Sequence, residues 1–221
     1  MGFSGDIREM FHQVNIRDED KTSQRFLWRG MDRVQEPGVM EMQVMTFGST
    51  CSPCSAQYIR NLNASEFRDE YADAFLAITE RHYVDDYLDS SRTEEDAVKL
   101  IRDVIAVHGR GGFVICGWIC TSPIVLNTIP PELRAKNVTE VPLGSELQME
   151  CVLGLHWNTQ DDVFIFKLKF NKIDPALLSG TKRPTKCLQV VMSVYDPLGF
   201  LSQLLVWAKI LLQDVWRAEI G

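Results

Sequence analysis

Short apolar runs separated by turn residues characterise the first half of the chain, and this pattern predicts strands. An alternation of apolar and polar positions over roughly four to eight residues is typical of a half-buried strand. The segments that fit are Phe3–Ile7, Phe26–Trp28, Val39–Phe47, Phe113–Cys120 and two hairpin arms, Phe75–Ile78 and Tyr83–Leu88. The residues from Gly48 to Pro53 are predicted to form a turn.

Two segments have the periodicity or the start signals of helices. Thr93–His108 is the clearest, because its apolar residues recur on one face, and Gly109 is predicted to end it. A second helix is predicted to begin with Ser52 as its N-cap and Pro53 in its first turn, and to run to about Asn63.

The last third of the chain predicts a second hairpin and a helical end. The hairpin arms are Cys151–Trp157 and Val163–Phe170, and a basic linker, Gly180–Thr185, follows them. The most apolar stretch, Leu198–Trp216, contains charged residues, so it predicts a buried amphipathic helix rather than a membrane span. Strands and helices mix without regular alternation, which favours the α+β class over a doubly wound sheet.

Composition and charge restrict the function classes. The chain has 221 residues, of which 45% are hydrophobic and 24% charged, as expected for a globular protein of one domain or slightly more. The formal net charge of −7 argues against a stand-alone nucleic-acid binder, which usually has a basic surface. The N-terminal residues have neither the basic nor the apolar region of a signal peptide.

The six cysteines do not have the spacing of a disulfide framework. Cys51 and Cys54 have the spacing of zinc ligands, but Pro53 lies between them, and Cys116 and Cys120 fall in a predicted strand. We therefore expect core and motif cysteines rather than a zinc site.

The segment Tyr83-Val84-Asp85-Asp86-Tyr87 is the most informative for chemistry. Adjacent aspartates are unusual in strands but are tolerated in a tight turn, so one interpretation is a solvated turn. The other is a turn that presents carboxylates to divalent metal ions, whose charge removes the mutual repulsion. The segment alone leaves both interpretations open.

Three motifs in order strengthen the second interpretation. Asp6 is followed five residues later by the aromatic Phe11, the segment Phe47-Gly48-Ser49-Thr50-Cys51-Ser52-Pro53 comes next, and Tyr83-Val84-Asp85-Asp86 comes last. In this order and at this spacing, the motifs resemble those of reverse transcriptases. The residues of these motifs are similar to those of the BEL/Pao retrotransposon group. Three further segments are similar to that group as well: Arg25-Phe26-Leu27-Trp28, Leu153-Gly154-Leu155-His156-Trp157 and Tyr195-Asp196-Pro197-Leu198-Gly199.

The resemblance implies a fold and a reaction. Residues 1–170 would form the right-hand polymerase palm, an antiparallel sheet backed by helices, and residues 171–221 a helical thumb- or connection-like part. The reaction would be RNA-directed DNA synthesis, with two Mg²⁺ or Mn²⁺ ions at Asp6, Asp85 and Asp86. A template with a primer and dNTPs would be the partners, and no membrane is expected.

The resemblance also implies binding roles for further residues. Phe11 would exclude the 2′-hydroxyl of a ribonucleotide, although a core aromatic is the alternative interpretation. Phe47 and Gly48 would lie near the incoming nucleotide. Leu155, His156 and Trp157 would contact the primer, but an ordinary amphipathic hairpin would have the same pattern.

Five residues precede Asp6, so we expect the basic fingers to be missing. We also expect the ribonuclease H and integrase portions of a pol polyprotein to be missing. Without those cations, electrostatic stabilisation of the leaving pyrophosphate would be incomplete. We therefore expect the chain by itself to be a weak or inactive polymerase, and the alternative to a polymerase palm is a catalytically silent remnant or a binding module. The resemblance implies a cytoplasmic location.

Overall fold

A computed structural model of the chain describes residues 1–135, 149–152, 155–166, 184–194, 196 and 198–218. These residues fall into two compact units, Met1–Ser145 and Glu146–Gly221, and each unit is described by itself. The end of the predicted second hairpin and most of the predicted basic linker, residues 167–170 and 180–183, lie outside the described residues.

The described part of the first unit contains six strands and four α-helices. In chain order they are β1 (Gly2–Ile7), β2 (Arg25–Trp28), β3 (Gly38–Glu41), α1 (Ser52–Glu66), α2 (Ala72–Glu80), β4 (His82–Tyr83), β5 (Asp86–Ser90), α3 (Glu94–Arg110), β6 (Ile115–Cys120) and α4 (Pro123–Thr128). Short 3₁₀ turns occur at Met10–Gln13, Lys21–Gln24 and Pro131–Leu133.

An antiparallel four-stranded sheet is the centre of this unit, with its strands in the order β4-β5-β1-β6. Strands β2 and β3 form a separate two-stranded hairpin. One face of the main sheet packs against helices α1, α2 and α3. The predicted α+β class, with an antiparallel sheet backed by helices, is therefore confirmed.

The main core lies between the sheet and the helices. Its fully buried members include Phe3, Tyr87 and Trp118 from the sheet. Gly5 is the cross-strand partner of Tyr87, and a β-carbon on Gly5 would lie 3.1 Å from the ring of Trp118. The absence of a side chain at Gly5 thus lets the indole pack directly on β1.

A second, smaller core lies at the C-terminal end of β1. It consists of buried side chains from β1, the following 3₁₀ turn, α1 and the segment before β6: Ile7, Met10, Phe11, Val14, Ala56 and Phe113. Val84, from the turn between β4 and β5, packs against this cluster. The polar end of the main sheet therefore packs against this smaller core.

Three strand predictions in the first unit were wrong in position or type. The predicted arm Tyr83–Leu88 is not one strand, because Tyr83 pairs with Asp86 across the reversal between β4 and β5. The predicted hairpin arm Phe75–Ile78 belongs to helix α2, whose buried residues Ala74, Ala77 and Ile78 share one face. A run of four apolar residues does not distinguish a strand from a buried helix face. The helical spacing of Ala74 and Ala77 is what fits the helix. The strand predicted over Val39–Phe47 covers only Gly38–Glu41, because its partner β2 begins at Arg25 opposite Glu41.

The two predicted helices exist, but their ends differ. Cys51, not Ser52, occupies the N-cap position of α1, and the hydroxyl of Ser52 donates to the carbonyl of Thr46 instead. Helix α3 is capped by the Thr93 hydroxyl, which accepts from the amide of Asp96, and it continues through Gly109 to Arg110. The Arg110 guanidinium binds Glu70 and thereby anchors the last turn.

The second unit contains three described strands and two described helices: β7 (Met149–Val152), β8 (Leu155–Asn158), β9 (Val163–Ile165), α5 (Pro184–Met192) and α6 (Ser202–Arg217). The strands form an antiparallel sheet in the order β7-β8-β9. The predicted arm Cys151–Trp157 is therefore not one strand, because Val152 and Leu155 pair across a reversal between β7 and β8.

Helix α6 was predicted to be buried, and this was wrong. Of its side chains only Leu212 is buried, whereas Leu204, Trp207 and Leu211 are more than 60% exposed. Its packing partner within the unit is α5, which covers one side of the helix. Of the helices in the described residues, none is long and apolar enough to cross a membrane.

We predict that Gly5→Ala lowers the free energy of unfolding by about 1–3 kcal/mol, because the added methyl group would press on the buried Trp118 ring. Gly109→Ala is the matched control. It adds the same methyl group to an exposed helical position with open space around it, and it should raise stability by about 0.4–1 kcal/mol. Urea unfolding followed by circular dichroism measures both, and equal effects of the two substitutions would contradict the packing argument.

Candidate active site

Strand pairing brings the aspartates of the first and last motifs together. Asp6 near the end of β1 is the cross-strand partner of Asp86 at the start of β5. Side chains of directly opposed residues project from the same face of a sheet, so these two carboxylates are neighbours. The backbone amide of Ile7 donates to the carbonyl of Asp85 at 3.0 Å, which ties the third aspartate to the same strand end.

The turn that carries Asp85 is tight and strained. Tyr83 pairs with Asp86, so Val84 and Asp85 form a two-residue loop between β4 and β5. Val84 has a φ of 59°, a left-handed conformation that costs a β-branched residue on the order of 1–3 kcal/mol. Its carbonyl accepts a 2.6 Å hydrogen bond from the guanidinium of Arg60 on α1.

The electrostatics of the site reflect the closeness of the carboxylates. Burial, and after it the charges of Asp85 and Asp86, raises the pKa of Asp6 to about 6. Burial and the charge of Asp85 also raise the pKa of Asp86. Three half-buried carboxylates thus repel one another, which is the arrangement that a cation would relieve.

The chemistry of these donors fits magnesium or manganese, because both prefer carboxylate oxygens. Within the described residues, no group of three His, Cys, Asp or Glu side chains lies close enough together to hold an ion by itself. Magnesium commonly uses one or two carboxylates and completes its shell with water and substrate phosphates. Asp6, Asp85 and Asp86 are the side chains here that could supply the protein ligands.

The Phe47 ring, which Gly48 follows in the chain, lies on Phe11 in the smaller core. Phe11 is 5% exposed and belongs to the smaller core, against which Val84 packs. The Phe47 ring lies over Phe11 with 4.6 Å between centroids and is itself 65% exposed. Gly48 has a φ of +91°, which favours glycine, and the space around its α-carbon is open.

The three residues predicted to contact a primer lie in the second unit, on β8. Leu155 and Trp157 are buried, and the indole nitrogen of Trp157 donates to the carboxylate of Asp162. His156 between them is half-buried. Leu155 and Trp157 are therefore buried side chains of the β8–β9 hairpin. Their contact with a primer, and that of His156, stays a prediction.

The free cysteines of the described residues differ in their exposure. Cys51 and Cys54 are exposed free thiols at the start of α1, whereas Cys120 is buried as expected. Cys51 and Cys54 are exposed because both lie at the N-terminal turn of α1, outside the face that α1 buries.

Sequence reasoning missed a polar cluster behind the turn. Arg60 is 1% exposed, and the rings of His82 and His108 lie 5.2 Å apart, with His82 stacked on Tyr87. Burial lowers the pKa of His82 to about 2 and that of His108 to about 3, so both rings are neutral. The available signal was a charged residue in the buried stripe of α1 formed by Ser52, Ala56, Arg60 and Ala64.

Comparison with known families gives two matches. A family model described as reverse transcriptase (RNA-dependent DNA polymerase) matches residues 1–115, which include all three aspartates. A model described as Pao retrotransposon-like RNaseH-like domain matches residues 181–221, which contain α5 and α6 and for which a thumb- or connection-like part was predicted. No curated protein matches the chain.

We predict that Asp6→Asn stabilises the metal-free protein at neutral pH. The pKa of Asp6 is raised in the folded state, so its ionisation weakens folding as the pH rises through about 6. The advantage of the asparagine should be greatest above that pH and should shrink as the pH falls toward the unfolded-state pKa of about 3.8. Thermal unfolding between pH 4 and 7.5 in chelator measures it.

The control for this prediction is Asp69→Asn, which removes an exposed carboxylate on the same unit. It should not change the melting temperature in a pH-dependent way. An Asp6→Asn advantage that is constant across the pH range would contradict the assignment of the raised pKa.

Proposed function

The chain belongs to the reverse transcriptase family, of the BEL/Pao retrotransposon type, and on that premise we propose that it catalyses template-directed nucleotidyl transfer with two divalent ions at Asp6, Asp85 and Asp86. Reverse transcriptases generally use divalent metal ions. The partners proposed for this chain are an RNA or DNA template, a primer and dNTPs.

The observation that carries the proposal is the cross-strand pairing of Asp6 with Asp86 beside the Asp85 turn. The raised pKa of Asp6 and of Asp86 has the neighbouring carboxylates among its causes. A purely structural turn would gain nothing from three aspartates that repel one another. Perturbed carboxylates at a strand end are typical of a site that binds positive charge.

The reaction joins the primer 3′-hydroxyl oxygen to the α-phosphorus of a dNTP and breaks the bond to the leaving pyrophosphate. Two Mg²⁺ or Mn²⁺ ions, when bound, supply charge stabilisation at the attacking and leaving oxygens. Asp6 and Asp85 would hold the ions, and Asp86 would be the more peripheral carboxylate. Strand β1 keeps Asp6 rigid, because it is paired on both sides, with β5 and β6.

Phe11, Phe47 and Gly48 form the proposed sugar side of the nucleotide site. The exposed ring of Phe47 offers an apolar surface next to the turn, and the open space at Gly48 permits a close approach of the nucleotide to the backbone. Phe11 lies beneath Phe47 and would restrict the space for a 2′-hydroxyl. Leu155, His156 and Trp157 are proposed to contact the primer end.

We expect metal-dependent primer extension by the full chain on an RNA template, and we expect Asp85→Asn to reduce it by at least about 100-fold. The reason is that electrostatic stabilisation is usually the largest catalytic contribution. Asp69→Asn is the matched control and should retain the wild-type rate. If the wild-type chain shows no extension with either Mg²⁺ or Mn²⁺, the catalytic proposal fails, and a silent remnant or a binding module remains.

We expect Phe11→Val to lower the preference for dNTPs over rNTPs by about tenfold, because the smaller side chain leaves room for the 2′-hydroxyl. Phe113→Val is the control, since Phe113 belongs to the same small core and its truncation removes a similar apolar volume. Incorporation of both nucleotide types in single-turnover assays measures the preference. If both variants lose stability and neither changes the preference, Phe11 is a core residue only.

A further inference from the structure

Arg60 is a buried cation directly behind the proposed metal site. It lies on the face of α1 that is otherwise formed by small residues, and only 1% of it is exposed. Among the described residues, no carboxylate forms an ion pair with it. Burying a guanidinium in this way is unfavourable unless its hydrogen-bond donors are well used.

The donors of Arg60 are used on the turn and on a neighbouring side chain. Its Nη1 donates to the carbonyl of Val84 at 2.6 Å. Its Nε and Nη2 both donate to Oδ1 of Asn61, at 3.1 and 2.9 Å, which fixes the plane of the guanidinium. Charge-assisted hydrogen bonds of this kind are shorter and stronger than neutral ones.

Two consecutive carbonyl groups of the turn therefore accept hydrogen bonds, and the two donors belong to different elements. Arg60 on α1 holds the carbonyl of Val84, and the amide of Ile7 on β1 holds the carbonyl of Asp85. Val84 needs such support, because its left-handed φ of 59° is unfavourable for a β-branched residue. Without the Arg60 contact, the loop would be free to relax, and the Asp85 side chain would move with it.

We propose that Arg60 is a positioning residue that holds the Val84–Asp85 turn so that the carboxylates of Asp85 and Asp86 stay beside Asp6. This inference rests on the proposed function, because it assigns Arg60 a role in the metal site. Arg60 acts on the site through a backbone carbonyl and does not touch the reacting atoms.

Cancelling the carboxylate charges is a different role, and the electrostatics do not support it. A nearby cation that paired with Asp6 would lower the pKa of this residue, whereas burial and the other carboxylates raise it to about 6. Burial lowers the pKa of Arg60 itself to about 10, so the guanidinium remains charged at neutral pH. Burial, and after it nearby groups that include Arg60, lowers the pKa of His82 on β4 and of His108 on α3, so neither ring adds a charge.

The geometry requires an arginine rather than any cation. One edge of the planar guanidinium is fixed by Asn61 while the opposite Nη1 reaches Val84. A lysine ammonium is a single point on a flexible stem and has no plane that Asn61 could orient. Arg60→Lys should therefore restore only part of the function that Arg60→Met removes.

The test compares Arg60→Met and Arg60→Lys with Arg110→Met, which removes an arginine that forms an exposed ion pair on α3. Mn²⁺ affinity is measured by electron paramagnetic resonance, and exchange of the Ile7 amide by nuclear magnetic resonance. We expect Arg60→Met to weaken Mn²⁺ binding about tenfold, as is typical when a supporting contact behind a metal ligand is lost. The Ile7 amide should exchange faster, because its acceptor is on the released turn.

The remaining variants separate positioning from general destabilisation. Arg60→Lys should lie between wild type and Arg60→Met, and Arg110→Met should leave both measurements unchanged at a temperature where every variant is folded. If Arg60→Met does not fold, Asn61→Ala replaces it. That variant keeps the buried charge but removes the acceptor that orients it, and a smaller loss in the same direction is expected.

Two outcomes would overturn the inference or separate it from the proposed function. Mn²⁺ affinity and Ile7 exchange in Arg60→Met that equal those in Arg110→Met would show that Arg60 does not hold the turn. If the wild-type chain does not bind Mn²⁺ at all, the proposed function fails. The exchange of the Ile7 amide then decides alone whether Arg60 holds the turn, with faster exchange supporting it and unchanged exchange refuting it.

Discussion

The pairing of β1 with β5 in one particular register supports both the core and the candidate site. In this register Asp6 lies opposite Asp86, and Gly5 lies opposite Tyr87. A shift by one residue would turn Tyr87 away from the buried face and an aspartate toward it, since alternate residues of a strand point to opposite faces. The register that places Tyr87 in the core, with its ring against that of Trp118, therefore also sets the two carboxylates side by side.

That register has an electrostatic cost, which the surrounding packing offsets. Burial, and after it the charges of Asp85 and Asp86, raises the pKa of Asp6, and Val84 occupies an unfavourable backbone conformation. The side chain of Val84 packs against the small core around Phe11, and the carbonyl of Val84 accepts a hydrogen bond from the Arg60 guanidinium. Strain and like charge concentrated in a few residues, with rigid support around them, are common at functional sites.

Local sequence was a good guide where one signal was strong and self-contained. The apolar periodicity of α3 predicted that helix almost to its ends. Weak signals failed. The four apolar residues from Phe75 to Ile78 fit a strand or a buried helix face equally well, and the apolar content of α6 did not reveal that most of its side chains are exposed.

The sequence by itself determined the α+β class and selected Asp6, Asp85 and Asp86 as the candidate metal ligands, because residue types and their order along the chain carry that information. Only the tertiary structure decided that Asp6 faces Asp86, that Phe47 lies over Phe11 and that the Arg60 guanidinium donates to the carbonyl of Val84. These relations join residues that are far apart in the chain. They depend on strand register and helix packing, which no local pattern specifies.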